Sequence, residues 1–273
     1  PGFAQVAQPS PGRCGHCTPG EGCTLRCADV LEEAIEAHGR ENVAAVIAEP
    51  VAILGAVKVP HPEYWARLQD IRDRTGVLLI VDEVVTGFGR TGRMFASEHW
   101  GIRPDVMTIA KGLTSGYAPL GATIVSREVE EPFVDAPLLH LNTYAGHPVA
   151  CEAALANIEI LVGERLPERA AALEPVLRRS LEAMRVAVPR LDRVSVIGLL
   201  SSVEVDIAGV AGPDELVTAL RHAMYQHGLI ARASAGGDVL TVVFYPALVV
   251  EEPDLVAGVE ALRDALAEVL PPS

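Results

Sequence analysis

The sequence predicts an α/β protein in which a mostly parallel sheet, with helices on both faces, precedes a smaller α+β domain. In the first half, apolar runs of strand length alternate with amphipathic helical segments, which is typical of parallel sheets covered on both faces. After His147 the pattern changes to long helices and short strands. With 273 residues, 49% of them hydrophobic, the chain is long enough for about two domains.

Each element of the first half follows from its apolar pattern. Continuous apolar runs predict four strands, at 43–49, 77–83, 105–111 and 120–126. Apolar residues at helical spacing predict two helices, at 28–39 and 62–76. Ligands bind at the carboxyl ends of the strands in such sheets, and we expect Glu49, Asp82 and Lys111 to share that crevice.

The second half predicts helices around a small sheet. The helices are expected at 147–163, 167–188, 213–228 and 253–270. The apolar stretch 193–205 and short strands at 229–233 and 239–245 supply the rest. We therefore expect one domain at 1–163 and a second, C-terminal domain at 164–273.

Charge and composition exclude several classes of partner. The formal net charge of -14 argues against nucleic acid and anionic membranes, which both attract a positive surface. The most apolar region, 43–60, is interrupted by Glu49 and Pro50, so it predicts no membrane span. No secretory leader is visible, and we expect a cytoplasmic protein.

Four of the five cysteines lie close together. Cys14, Cys17, Cys23 and Cys27 are spaced C-x2-C-x5-C-x3-C, which offers thiolate ligands to zinc. These gaps match no standard zinc finger, so reduced thiols in a loop, without a metal, are the preferred interpretation.

Lysine is rare, and one lysine stands where a solvated charge is unexpected. Of 22 basic residues only Lys58 and Lys111 are lysines, and Lys111 follows an apolar strand and precedes glycines. Burial lowers the pKa of an ammonium, and the free amine attacks carbonyls, which arginine cannot do. Lys111 is therefore a candidate for Schiff-base chemistry, with an ordinary surface-loop lysine as the alternative.

Pyridoxal phosphate requires such a lysine together with an acid at its ring nitrogen. Asp82, in "LLIVDEVVTGFGRTG", fits that acid, and hydroxyls and amides in 112–116 and at Thr143 could hold the phosphate. The alternative is a strand-end acid that caps a helix or pairs with Arg90 or Arg93.

A nucleotide-binding protein is a further alternative. An apolar strand ending in Asp82 and Glu83 resembles a Walker B strand, whose acids hold magnesium and activate water. That function also requires a G-x-x-x-x-G-K-[ST] loop, yet Lys58 precedes Val59 and Lys111 precedes Gly112.

Four segments together resemble one enzyme family. "VAAVIAEPV", "LLIVDEVVTGFGRTG", "PDVMTIAKGLTSGYAPLGA" and "NTYAGHPVACEAAL" are similar, in order and spacing, to signatures of the class-III (subgroup II, ω-type) pyridoxal-phosphate aminotransferases. The resemblance implies a fold-type-I large domain, a C-terminal small domain, and a homodimer with active sites at its interface.

The resemblance also implies residue roles. Lys111 would form the internal aldimine and shuttle a proton, while Asp82 would pair with the pyridine nitrogen. Val84 would pack on the ring and Val85 would be a packing contact, whereas Glu83 would be structural. Thr143 would reach the phosphate bound in the partner subunit.

Two departures from the family pattern stand out. Residues 1–40 lack the family's phosphate loop and stacking aromatic, so we expect a fragment that is catalytically incomplete alone. Val243 stands where the amino-acid-selective branch has an arginine paired with the equivalent of Glu49. We therefore expect an amine or ω-amino acid donor and a 2-oxo acid acceptor such as pyruvate or glyoxylate, with Glu49, Arg232 and Tyr245 as candidate substrate contacts.

Overall fold

The computed structural model describes residues 2–11, 14–16, 22–136, 138–140, 142–210 and 212–270, which divide into two compact units. The first unit comprises Pro1–Ala52, Lys58–Phe88 and Met94–Glu164. The second unit comprises Ile53–Val57, Gly89–Arg93 and Arg165–Ser273. No helix within the described ranges is both long and apolar enough to cross a membrane.

The first unit is built on a four-stranded sheet. Its elements are α1 (Arg26–His38), β1 (Ala45–Ala48), α2 (Tyr64–Thr75), β2 (Leu78–Asp82), β3 (Val106–Ile109), β4 (Ala122–Val125), α3 (Arg127–Glu130) and α4 (Pro148–Gly163). The strand order is β1-β2-β3-β4, with the first three strands parallel and β4 antiparallel to β3. The predicted mostly parallel sheet is therefore confirmed.

One face of this sheet carries the core of the first unit. Helices α1 and α2 bury their apolar sides together with Leu79 and Val81 of β2. Trp65 of α2 is fully buried, and its indole N–H donates to the carbonyl of Pro50 at 3.1 Å. Because side chains alternate along a strand, Leu78 points to the opposite face, where it is 37% exposed.

The second unit is an antiparallel sheet packed with helices. Its elements are α5 (Leu166–Ala183), β5 (Leu191–Ile197), β6 (Leu200–Asp206), α6 (Pro213–Gln226), β7 (Arg232–Gly236), β8 (Val239–Phe244) and α7 (Glu252–Val269). The strand order is β5-β6-β8-β7. Leu177, Leu220 and Leu262, one from each long helix, are fully buried in its core. The predicted combination of an α/β and a smaller α+β part is confirmed.

Two strand boundaries differ from the prediction. The strand expected at 229–233 begins only at Arg232, because the amide of Leu229 donates to the carbonyl of Met224 and closes the end of α6. The strand expected at 105–111 ends at Ile109. Lys111 instead begins a short helical turn, Lys111–Leu113, with a left-handed φ of 43°.

Residues from the loop after β2 belong to the second unit. A Cβ on Gly198, which has a φ of 56°, would lie 2.4 Å from the carbonyl carbon of Thr91, so only glycine fits that turn. The amide of Leu199 donates to the carbonyl of Arg90 at 3.0 Å. The Arg90 guanidinium donates to the carbonyls of Leu199 and Pro246.

Arg90 is therefore a structural side chain within the second unit. Burial lowers the pKa of Arg90 to about 10, which still leaves its guanidinium charged near neutral pH. Its donors go to carbonyl oxygens, which corrects the alternative in which Arg90 pairs with Asp82. Ile53–Val57 is joined to the same unit by a bond from the amide of Val57 to the hydroxyl of Ser202, at 2.9 Å.

Candidate active site

Three candidate residues lie at one edge of the parallel sheet. Asp82 is the last residue of β2 and pairs in register with Thr108 of β3, three positions before Lys111. Glu49 follows β1, whose last residue is aligned with Val81 of β2. Parallel strands end at the same edge of a sheet, so this register brings the ends that carry Glu49, Asp82 and Lys111 side by side.

Asp82 combines partial burial with a local backbone contact. Its Oδ1 accepts a hydrogen bond from the amide of Val84 at 3.0 Å, so the acid also caps the turn that follows β2. Val84 and Val85 lie in that turn and are half-buried. This contact orients the carboxylate, and the group that it caps is a turn rather than the helix of the alternative interpretation.

Lys111 is anchored through its backbone rather than by burial of its side chain. The side chain is exposed, contrary to the burial expected at the end of an apolar strand. The next residue, Gly112, packs so tightly that a Cβ there would lie 2.9 Å from Cβ of Phe88. This contact holds the loop of Lys111 against the loop that follows Asp82.

Glu83 is a buried structural acid. It is 0% exposed, and its carboxylate accepts hydrogen bonds from the hydroxyl of Thr86, the amide of Ala96 at 3.1 Å, and both the amide and hydroxyl of Ser97. These donors tie the two ends of the loop after β2 together. The Walker-type alternative required Glu83 at an accessible metal site, and this burial contradicts it.

The predicted phosphate contacts are used differently. Within 112–116, the Thr114 hydroxyl donates to the carbonyl of Ala118 at 2.6 Å and the Ser115 hydroxyl donates to Oδ1 of Asn157 at 2.6 Å. Both hydroxyls thus stabilise the loop itself. Thr143 lies in an exposed turn before α4.

Asn157 of α4 is a further residue of the site and was not predicted from the sequence. Its side-chain amide donates to the carbonyls of Gly112 and Leu113 at 2.8 and 3.1 Å. A signal was present, because Asn is unfavourable in helix interiors and stands here in the mostly apolar segment "ALANIEILVG".

The second unit holds the remaining candidates around a cavity of about 600 Å³. Arg232, Val243 and Tyr245 all line it. Arg232 of β7 is paired in register with Val243 of β8.

The cysteine cluster is only partly described. Cys14 is half-buried, Cys23 is exposed and Cys27 is buried in α1, whereas Cys17 lies outside the described residues. Among the residues that the structure describes, no group of three or more His, Cys, Asp or Glu side chains is arranged for a metal ion.

The residues at the sheet edge fit pyridoxal phosphate. A carboxylate at the end of β2 suits a ring nitrogen, and an accessible primary amine after β3 suits an aldehyde. The tight contact of Gly112 with Phe88 keeps the two loops that carry these groups adjacent.

Comparison with known proteins agrees with this chemistry. Residues 4–266 match the aminotransferase class-III family, and the chain belongs to that family. A putrescine–pyruvate aminotransferase of Pseudomonas aeruginosa is 38% identical over 257 residues, covering 92% of this chain and 55% of that protein. A diaminobutyrate–2-oxoglutarate transaminase of Halomonas elongata is 40% identical over 240 residues, covering 81% and 50%.

A solved structure is similar throughout. The (S)-enantioselective omega-transaminase from Thermomicrobium roseum superposes with a TM-score of 0.89 at 38% identity, covering 99% of this chain and 61% of that one. The chain thus spans about half the length of the curated relatives it matches. Class-III aminotransferases depend on pyridoxal phosphate, which confirms the predicted cofactor.

The environment of Glu83 generates a stability prediction. Glu83→Gln keeps the shape but directs an amide N–H₂ toward donors, so we expect the free energy of unfolding to fall by ~2–4 kcal/mol. Urea denaturation measures the change. Glu98→Gln is the matched control, since exposed Glu98 accepts only from the amide of Phe95 at 2.8 Å among the bonds described. Equal stability of the two variants would contradict the anchoring role of Glu83.

Proposed function

We propose that the protein transfers an amino group from an amine or ω-amino acid donor to a 2-oxo acid such as pyruvate or glyoxylate. The observation that carries this proposal is the pair formed by the Asp82 carboxylate and the Lys111 amine at neighbouring ends of parallel strands. Membership of the class-III aminotransferase family supports it.

Each residue at this edge has a distinct task. Pyridoxal phosphate supplies, when bound, an electron sink for the carbanion left by loss of a proton. Lys111 Nζ would hold the cofactor, and its amine would accept the proton from the amine-bearing carbon of the substrate and return it during transfer. The Asp82 carboxylate keeps the ring nitrogen protonated. Val84 would pack against the ring, and Val85 would contribute an apolar contact beside it.

The donor class is inferred from candidate side chains in each unit, taken separately. Glu49 offers a carboxylate that suits the distal ammonium of an amine donor, and Val243 offers no charge to a second carboxylate. Arg232 and Tyr245, on the cavity of the second unit, would bind the carboxylate of an ω-amino acid or 2-oxo acid. The names of the two relatives, which specify a diamine and an amino acid with two amino groups, support this assignment.

We further propose that the protein acts as a homodimer, in which Thr143 contacts the phosphate bound by the partner subunit. Apolar side chains are exposed on the segment that follows it: Tyr144 is 78%, Val149 68% and Leu155 55% exposed. Such a surface is typical of a protein interface, and a second copy is the occupant we propose.

The first prediction concerns the site of attachment. In the intact protein, Lys111 Nζ bonds to the aldehyde carbon with loss of water, and hydride from borohydride makes that bond irreversible. Mass spectrometry should locate the label on Lys111 and not on Lys58, the chain's other lysine. Labelling of Lys58 alone would contradict the proposal. Labelling that requires a longer chain would support the alternative that residues 1–273 are catalytically incomplete.

Asp82→Asn tests the acid. The carboxamide cannot hold the ring proton electrostatically, so we expect turnover to fall by about 10²–10⁴-fold while borohydride still labels Lys111. Single-turnover kinetics measure the loss. Asp105→Asn is a control at the start of the neighbouring strand, where Asp105 accepts from the amide of Leu79 at 2.7 Å. Turnover of Asp82→Asn close to that of the unchanged protein would rule out this role.

Arg232→Ala tests substrate selection. Loss of the guanidinium should raise KM for β-alanine or pyruvate by about ten-fold, equivalent to ~1.4 kcal/mol, and leave KM for a diamine nearly unchanged. Arg179→Ala, on the exposed side of α5, controls for loss of surface charge. A uniform change across all substrates would show that Arg232 does not read the carboxylate.

The oligomer prediction is tested by sedimentation velocity, which should give a species of twice the chain mass. Val149→Glu places a charge on the proposed interface and should shift the protein to a monomer. Val186→Glu changes an equally apolar side chain that is 90% exposed on the second unit and should leave the mass unchanged. A monomeric unchanged protein would contradict the proposal.

A further inference from the structure

The loop that begins at Lys111 is held by one side chain from α4. Asn157 is half-buried and makes three hydrogen bonds to this loop. Its Nδ2 donates to the carbonyls of Gly112 and Leu113 at 2.8 and 3.1 Å, and its Oδ1 accepts from the hydroxyl of Ser115 at 2.6 Å. The bonds cover three of the four residues that follow Lys111.

Only a primary carboxamide satisfies all three contacts. The two carbonyls need two N–H donors, and the hydroxyl needs an acceptor; among short side chains, that combination belongs to asparagine. A carboxylate would face the carbonyls with lone pairs, and an apolar side chain would leave them unpartnered. The side chain at 157 is therefore matched to this loop conformation.

The loop needs such support because its backbone is strained. Lys111 and Ser115 both have left-handed φ values, of 43° and 49°. The helical turn Lys111–Leu113 is too short to provide partners for its last carbonyls, which are the ones that Asn157 binds. A left-handed conformation costs a non-glycine residue about 1–2 kcal/mol, which the surrounding contacts must offset.

The anchoring matters for chemistry because Lys111 itself is exposed. Packing does not immobilise its four-carbon side chain, so the position of Nζ depends on where the backbone starts that side chain. The peptide planes of Gly112 and Leu113, held by Asn157, fix the backbone immediately after Lys111.

We propose that Asn157 is a positioning residue for the amine of Lys111, acting by locking the strained loop that carries it. This inference rests on the proposed function of Lys111 as the site of cofactor attachment. It assigns to α4 a role in the reaction beyond packing.

The test uses Asn157→Leu, which keeps a similar shape without the donors and the acceptor of the carboxamide, and Ser115→Ala, which removes one bond and leaves the carbonyls partnered. Asn42→Leu is the matched control, because Asn42 also donates to a backbone carbonyl in the first unit, that of His38 at 3.0 Å. All variants are made in the intact protein, and thermal melting establishes that each one folds.

Two measurements separate positioning from general stability. Hydrogen exchange without added cofactor measures the protection of three amides that donate hydrogen bonds in this loop, those of Leu113, Thr114 and Tyr117. The rate at which pyridoxal phosphate attaches to Lys111, trapped with borohydride and measured as a function of pH, reports how well the Lys111 amine is positioned. For Asn157→Leu we expect faster exchange confined to the loop and attachment at least ~10-fold slower at every pH, since misplacement by about 1 Å can cost up to 10²-fold. The pH midpoint should be unchanged.

Each result of these measurements either supports or overturns the positioning role of Asn157. Ser115→Ala should show a smaller loss in attachment rate, and it carries the test alone if Asn157→Leu does not fold. Attachment at the unchanged rate despite faster loop exchange would overturn the positioning role and leave only a structural one. A shifted pH midpoint with an unchanged plateau rate would also overturn it. Failure of the unchanged protein to attach the cofactor at Lys111 would instead overturn the proposed function, and this role with it.

Discussion

Parallel pairing of β1, β2 and β3 is the constraint on which the candidate site depends. Neighbouring parallel strands end at one edge, so residues separated by more than sixty positions, Glu49 and Lys111, are brought to the same side of the first unit. The core of α1 and α2 holds this register, because a slip of one residue would move Leu79 and Val81 out of contact with the helices. Helix packing on one face of the sheet thus determines which residues lie at the carboxyl ends of its strands.

Asp82 at the end of β2 and Glu83 directly after it have different roles. Asp82 remains half-buried at the sheet edge, where it can meet a ligand, while Glu83 turns into the protein and is fully buried. A buried carboxylate requires several donors, and the loop supplies them from Thr86, Ala96 and Ser97. The loop therefore folds around the buried carboxylate of Glu83 and leaves the carboxylate of Asp82 at the sheet edge.

The sequence predicted what local patterns encode. Apolar runs located β1, β2 and β3, the rarity of lysine singled out Lys111, and motif order indicated the family. The antiparallel direction of β4, the late start of β7 and the exposure of Lys111 were not predictable, since each depends on contacts between distant segments. The partner of Asn157 is likewise a loop more than forty residues away in the chain.

The second unit is discontinuous in sequence, and this has a consequence for recombination between related genes. Gly89–Arg93 and Ile53–Val57 belong to this unit, although they precede its main segment by many residues. A chimera joined at Arg165 would inherit the turn at Gly198 from one parent and its close partner at Thr91 from the other. A Cβ at Gly198 would lie 2.4 Å from the backbone of Thr91. Small backbone differences between the two parents at these positions would therefore cause a steric clash. Exchange of this unit between homologues therefore requires that all three of its sequence segments come from the same parent, which a single crossover cannot achieve.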